Sequence, residues 1–363
     1  MGEVNNPFIF KQNFQLNNRL VMAPMTTSSA EGNGAISQED LDFFDRTSKD
    51  FGAIIVGSQA VSILGTGFER GWKIYDKAVD SSLKTLADVI HGNGSKAILQ
   101  LYHAGRMAEP FLIRHHQPVS PSEIPTPRSF ASFPRQLAHL EIEQIIDDFC
   151  MATKKAIDLG FDGVEIHGAN TYLVQQFFSQ HSNRRTDQWG GTREKRMRFA
   201  TELIKRMAAV IDKHTNDDFI LGYRFSPEEY EIPGIRLRDT KKLLDVLDEL
   251  PVDYFHLSVS SYKKKSLDGE DILDELLNQN YKAPLIACGG VRNHEDIKEV
   301  LAKAPFVSVA NAPVIDPNWA SKILNNDATI NEKILISDLD KLKLPSGLKK
   351  LVTSYPTVYL TAD

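Results

Sequence analysis

The chain has 363 residues, 42% hydrophobic and 25% charged, with a formal net charge of −6. This is the balance of a globular protein long enough for one large domain or two ordinary ones, and it excludes a disordered chain. It also gives no electrostatic footprint for nucleic acid, because the only compact basic run is Lys263-Lys264-Lys265.

The N-terminus lacks the basic start and unbroken apolar core of a signal peptide, and no later stretch reaches membrane-spanning length, so a cytoplasmic protein without a membrane partner is expected. Residues 8–16, FIFKQNFQL, read as a small hairpin placed to cap the fold ahead of its first long strand. Eight short β-branched runs come next, at 19–25, 52–61, 96–103, 161–168, 219–225, 252–259, 283–290 and 306–312. Most are nearly continuous in apolar character, as parallel strands buried on both faces require. Amphipathic segments separate them. Residues 37–52 open on Ser37, residues 80–94 place apolar side chains at 83, 86, 87 and 90, and Asn293 with Asp296 reads as a capping box. The segment 104–140 is long and proline-rich, an excursion over one face after the third strand. Residues 326–363 form a C-terminal extension, and no linker divides the chain, so a single domain over 1–363 is expected.

Strand–helix alternation repeated eight times predicts an α/β fold, a (β/α)₈ barrel with an N-terminal hairpin cap. The rival doubly wound sheet usually carries a glycine-rich nucleotide fingerprint after its first strand, and none is present. The two cysteines, Cys150 and Cys288, lie far apart with no CxxC partner, which excludes a disulfide framework, a zinc site and a cysteine-ligated iron–sulfur cluster.

Barrel active sites gather at the carboxyl ends of the strands. Those ends supply Ala23, Pro24, Met25 and Thr26, then Ala60, Gln100 with His103 and Arg106, and His167 with Asn170 and Tyr172. Arg224, Ser258, Gly289-Gly290 and Asn311 complete the set. It contains no row of carboxylates for a hard metal and no nucleophilic serine or cysteine. Amides, imidazole, phenol and guanidinium beside small residues suit a planar, hydrogen-bonding cofactor better than hydrolysis. Gly289-Gly290 reads equally well as part of a phosphate site or as a tight βα turn.

The stretches NRLVMAPMTT (18–27), QLYHAGR (100–106), GFDGVEIHGANTYLVQQFFSQHSNRRTDQWGG (160–191), LGYRFSP (221–227) and LIACGG (285–290) closely resemble the Old Yellow Enzyme family. The match runs in order from about residue 7 to 325. The resemblance implies FMN as cofactor and NADH or NADPH as electron donor. It also implies a small-molecule substrate, a ping-pong reduction of electron-poor alkenes, and a possible homo-oligomer. By the same resemblance, Ala23 to Thr26 lie along the flavin, Ala60 leaves room for its ring and Gln100 bonds its pyrimidine portion. Arg224 stands by the N1/C2 carbonyl region, where a fixed cation favours the reduced anionic form. His167 and Asn170 grip a substrate oxygen, and Tyr172 donates the proton.

Asn183 to Asp187 and Trp189 read instead as a structural turn with an Arg–Asp pair, and the HAGR turn of His103 and Arg106 as structural. Tyr102 and Tyr75 remain rival phenols. Phe68, Trp72, Phe130 and Phe133 either line the substrate side or pack. The family usually carries a Gly-Arg pair after strand eight to clamp the FMN phosphate, whereas this chain has Ala310-Asn311. An asparagine offers only neutral hydrogen bonds there, so weaker FMN binding or help from another cation is expected. An NADH oxidase or flavin reductase, and an inactive flavin-binding barrel, are the alternative functions.

Overall fold

The structure, a computed structural model, describes residues 4–127 and 133–361. Phe130 lies outside the described residues. In chain order the strands are β1 (Phe8–Lys11), β2 (Phe14–Leu16), β3 (Leu20–Met22), β4 (Ala53–Ala60), β5 (Lys96–Tyr102), β6 (Val119–Ser120) and β7 (Arg135–Gln136). They continue as β8 (Gly163–Gly168), β9 (Ile220–Phe225), β10 (Tyr254–Leu257), β11 (Leu285–Cys288), β12 (Phe306–Val309), β13 (Ile334–Leu335) and β14 (Leu360–Thr361). The helices are α1 (Gln38–Thr47), α2 (Asp80–Gly92), α3 (His139–Asp158), α4 (Leu173–Phe178), α5 (Arg193–His214) and α6 (Leu237–Leu247). After them come α7 (Ile272–Leu277), α8 (His294–Leu301), α9 (Asn311–Ile315), α10 (Trp319–Leu324), α11 (Ser346–Ser354) and α12 (Pro356–Tyr359).

Strands β3, β4, β5 and β8 to β12 pair in parallel and close on themselves as a (β/α)₈ barrel. Every residue of β4, β8 and β9 is buried, since one face packs on the helices and the other fills the barrel. The hairpin β1–β2 is antiparallel, and its Phe14 and Leu16 cluster with Val21, Ala53, Ile98, Ile220 and Phe306. Those residues stand at or near the amino ends of their strands, so the hairpin seals that end and leaves the carboxyl-end mouth for ligands.

Several strands stop short of the apolar runs that announced them. β3 ends at Met22 because Pro24 has no N–H for the ladder, and β11 ends at Cys288, before two left-handed glycines. The surplus residues become the rim of the mouth. Asn293 makes the expected capping box with Asp296, and Ser37, which opens its segment, makes one with Asp40. The first helix is shorter than the 37–52 segment and ends at Thr47.

The C-terminal extension folds back over the loop after β3. Gly347 N–H donates to Ser29 Oγ at 2.9 Å, Ser346 N–H to Glu39 Oε2 at 2.8 Å, and Arg46 reaches the carbonyls of Leu342 and Lys343. Among the described residues no helix is long and apolar enough to cross a membrane.

Candidate active site

The residues after β8 turn through two successive left-handed conformations, Asn170 (φ 56°) and Thr171 (φ 68°). Asparagine accepts that region readily, but a β-branched threonine does so only when its surroundings hold it there. Three side chains supply the hold. Asn170 N–H donates to Ser226 Oγ at 2.9 Å, Thr171 N–H to Gln175 Oε1 at 3.0 Å, and Gln176 Nε2 to Thr171 O at 2.7 Å. Gln176 also ties this turn to the HAGR segment, donating to Ala104 O and accepting from Arg106 N–H.

The turn presents His167, Asn170 and Tyr172 together. His167 Nδ1 accepts the Ala169 N–H at 3.3 Å, so its neutral tautomer carries the proton on Nε2. Burial, with the charges of Arg224 and His256 adding to it, holds this imidazole well below its ordinary pKa and therefore neutral. Asn170 Oδ1 accepts the Ser258 hydroxyl at 3.2 Å, which leaves its Nδ2 as a donor. The Tyr172 ring meets His167 edge-on at 4.9 Å and packs against Tyr102 and Phe68 at 5.3 and 5.9 Å. A cavity of about 790 Å³ opens beside Asn170 and is lined also by Arg106, Ser226, Glu229, Ser258 and Lys264. Its volume is in the usual range for a small-molecule site.

Of the rival candidates, Tyr102 and Phe68 pack on Tyr172 and the others are placed elsewhere. Tyr102 is fully buried and its hydroxyl accepts the Gly67 N–H, while burial pushes its pKa up. Tyr75 lines a separate cleft with Arg114 and Lys155. Trp72 is a core residue whose Nε1 donates to the buried Asp40. Phe133 points to solvent at 74% exposure, whereas Phe68 packs on Tyr172. His103 is buried, accepts the Gly105 N–H, and is pushed down by burial to about 3, so it is a structural, neutral histidine. Arg185 pairs with Asp187 at 2.6 Å and reaches the carbonyls of Pro121 and Leu137, so the second half of the 160–191 motif pins the excursion.

Inside the barrel lies a polar belt of which strand-end reading reaches only Gln100. Ser58 donates to Gln100 Oε1 at 2.8 Å, and Gln100 Nε2 donates to Glu165 Oε1 at 2.7 Å. His256 Nδ1 lies 2.8 Å from Glu165 Oε2, and its Nε2 lies 2.9 Å from Ser308 Oγ. Burial alone would protonate Glu165, but His256, Arg224 and Gln100 together hold its carboxylate below the usual range. Burial lowers the His256 pKa more than Glu165 raises it, so His256 is neutral and donates Nδ1–H to the carboxylate. The available signal was a glutamate within a run that is otherwise buried and apolar, because such a group must have partners.

The cofactor candidates ring the mouth at two depths. Pro24, Met25, Thr26 and Gly289 are half-exposed, and Gly290 and Asn311 exposed. Ala23, Ala60, Gln100 and Arg224 lie beneath them. At Gly57 a Cβ would fall 1.9 Å from Met25 O, and the β4–β5 register slips between Val56 and Gln59. Only glycine lets the loop after β3 approach that closely. A Cβ on Gly289 (φ 101°) would strike Val259 O and Ser261 N, so the loops after β10 and β11 are similarly pressed together. Asn311 begins α9, and its Oδ1 accepts the Tyr359 hydroxyl at 2.8 Å.

The model of the NADH:flavin oxidoreductase / NADH oxidase family matches residues 3–329. The chain belongs to the Old Yellow Enzyme family. It is 42% identical over 361 residues to the NADH:acrylate oxidoreductase of Vibrio harveyi, covering 97% of this chain and 36% of that protein. The chain thus spans about a third of that relative's length. It is 36% identical to the probable NADH-dependent flavin oxidoreductase YqiG of Bacillus subtilis (strain 168), covering 96% of this chain and 95% of that one. The solved old yellow enzyme homologue from Zymomonas mobilis superposes with a TM-score of 0.82 at 23% identity, covering 96% of this chain and 98% of that one, and shares the fold.

As a member of this family the protein is an oxidoreductase that takes FMN and a nicotinamide donor. Its residues fit that cofactor. Arg224 Nε is buried without a partner among the described residues, as a donor aimed at an acceptor outside the protein would be. The Gln100 amide keeps a second N–H beyond the one given to Glu165.

Proposed function

We propose that this protein reduces electron-poor alkenes, the substrate oxygen being held by His167 and Asn170 and the proton supplied by Tyr172. The observation that carries the reading is the paired donor geometry. A neutral His167 fixed by Ala169 leaves its Nε2–H as a donor, and an Asn170 amide fixed by Ser258 leaves its Nδ2 hydrogens, so both residues can donate to a substrate oxygen. FMN, when bound, supplies the hydride acceptor and donor. Two preorganised neutral donors stabilise enolate charge as it develops at the substrate oxygen, which lowers the barrier rather than tightening ground-state binding. Tyr172, its ring fixed by His167, Tyr102 and Phe68, holds the proton for the carbon next to the carbonyl. Ala23 to Thr26, Ala60, Gln100, Arg224, Gly289, Gly290 and Asn311 hold the cofactor in this reading. The Vibrio relative is named for acrylate, an alkene conjugated to a carboxyl group, which is the same substrate class.

A second reading, electron transfer from NADH to oxygen or free flavin, is favoured by the family's own description and by the name of the Bacillus relative. Anaerobic stopped-flow separates the two. Protein bleached by NADH should regain its visible flavin absorption on mixing with acrylate or cyclohexenone. Tyr172→Phe should slow that recovery by about 10²-fold, the usual contribution of a general acid. Recovery with oxygen or free FMN but with neither alkene would transfer the assignment to the second reading.

A further inference from the structure

Asn311 stands where the family places an arginine, and the structure shows what surrounds it. Its Oδ1 is taken by the Tyr359 hydroxyl, and Tyr359 comes from the C-terminal extension, beyond the residues the family model matches. Tyr359 is buried at 6% exposure and packs into the main core. Around it, β13 pairs with β14, and Lys333 Nζ donates to the carbonyls of Thr357 and Val358. The hydroxyl is therefore held at the rim of β12, and by donating to Oδ1 it fixes the Asn311 amide with Nδ2 left as a donor.

Across from it, the loop after β11 continues from Gly289-Gly290 to Arg292. Two bonds fix this backbone and a third ties down the neighbouring side chain. Trp319 Nε1 donates to Arg292 O at 2.6 Å, Arg292 N–H to Asp296 Oδ2 at 2.8 Å, and Asn293 Nδ2 to Glu332 Oε1 at 2.8 Å. The half-buried Arg292 guanidinium itself has no hydrogen bond or ion pair among the described residues. Its charge reaches the Tyr359 phenol, where it opposes the upward push of burial on that group. A guanidinium left unpaired on an immobilised backbone, near an amide held with its Nδ2 free to donate, is what an anion site needs.

We propose that Arg292 and Asn311, the latter oriented by Tyr359, replace the family arginine as the clamp on the FMN phosphate, and that the C-terminal extension is thereby part of the cofactor site. This rests on FMN being the cofactor. Arg292 supplies the charge-assisted contact, the Asn311 Nδ2 supplies a neutral one that Tyr359 orients, and Gly289-Gly290 lets the phosphate approach the backbone.

The test compares FMN with riboflavin, which differs only in lacking the phosphate, by fluorescence titration of flavin-stripped protein. Arg292→Gln should weaken FMN by about ten- to a hundredfold and leave riboflavin within twofold, the size expected for one lost charge-assisted bond. Tyr359→Phe should weaken FMN by a smaller factor, again without touching riboflavin. Salt should weaken FMN binding to the unmutated protein and spare riboflavin, a readout that needs no variant to fold. Equal losses for both flavins, or no change in either, would overturn the clamp. Unmutated protein that binds neither flavin would instead overturn the cofactor assignment on which it stands.

Discussion

Glu165 carries a charge at a point where the barrel is otherwise sealed from water. With Gln100 and His256 bonded to its two oxygens and Arg224 two residues along the neighbouring strand from its register partner Gly222, it balances the Arg224 guanidinium, which the proposed cofactor site sets against the flavin. Removing the negative charge should leave Arg224 uncompensated and favour the reduced, anionic cofactor. Glu165→Gln, which keeps the shape and can donate to His256 once that ring carries its proton on Nε2 toward Ser308, should therefore raise the flavin midpoint potential by about 20–60 mV. That corresponds to roughly 1–3 kcal/mol for a two-electron couple. A spectroelectrochemical titration reads it directly, and an unchanged or lowered potential would mean the balance does not reach the cofactor. The sequence made His167, Gln100 and Arg224 legible because each ends or nearly ends a strand, where barrel chemistry is expected. It hid Glu165 and His256 because they sit in strand interiors, where an apolar reading of the run passes over a paired polar residue. Arg292 was hidden differently, one position before the Asn293 cap, where a basic residue reads as solvated surface.

At the scale of elements, the eight barrel strands were legible from continuity of β-branched residues. The boundaries were not, since Pro24 and the left-handed Gly289-Gly290 end strands that hydropathy would extend. The pair β6–β7 has two residues a strand, too few to show any period. The docking of the C-terminal extension was invisible for another reason. Its contacts join residues remote in the chain, such as Gly347 and Ser29, separated by 318 positions. That docking depends on close backbone approach, because a Cβ at Gly347 would lie 2.1 Å from Thr27 O and 2.6 Å from Ser28 O. Gly347→Val should lift α11 off the loop after β3 and leave the barrel folded. Limited proteolysis should then cut within residues 326–361 at least about tenfold faster, with the far-UV circular dichroism nearly unchanged, because a local opening needs only a small free-energy change. Cleavage at the unmutated rate would show that β13–β14 and Tyr359 alone hold the extension.

For the whole molecule, sealing one barrel end with aromatics and filling the interior with a polar belt has a cost that depends on pH. Burial holds His103, His167 and His256 below their ordinary pKa of 6.5, His103 at about 3. A histidine that is neutral in the folded state but titrates at 6.5 when unfolded gives stability that is complete above pH 6.5. That stability is lost steadily as pH falls from 6.5 toward the folded value, because the unfolded chain then binds the extra proton. Asp40, Glu229 and Asp253 oppose this trend, since burial raises their carboxyl pKa values and acid relieves that strain. The net slope therefore mixes signs, and the single group is isolated by difference. Between pH 7.5 and 5.5 the His103 contribution should fall by about 1.4 kcal/mol, one pH unit below 6.5 at 1.36 kcal/mol per unit. His103→Gln lacks this titration and keeps every carboxylate. Urea unfolding at the two pH values should show the unmutated protein losing about that much more stability than the variant. Equal losses would mean that His103 takes up its proton in the folded barrel, through the Nε2 that is buried without a partner among the described residues.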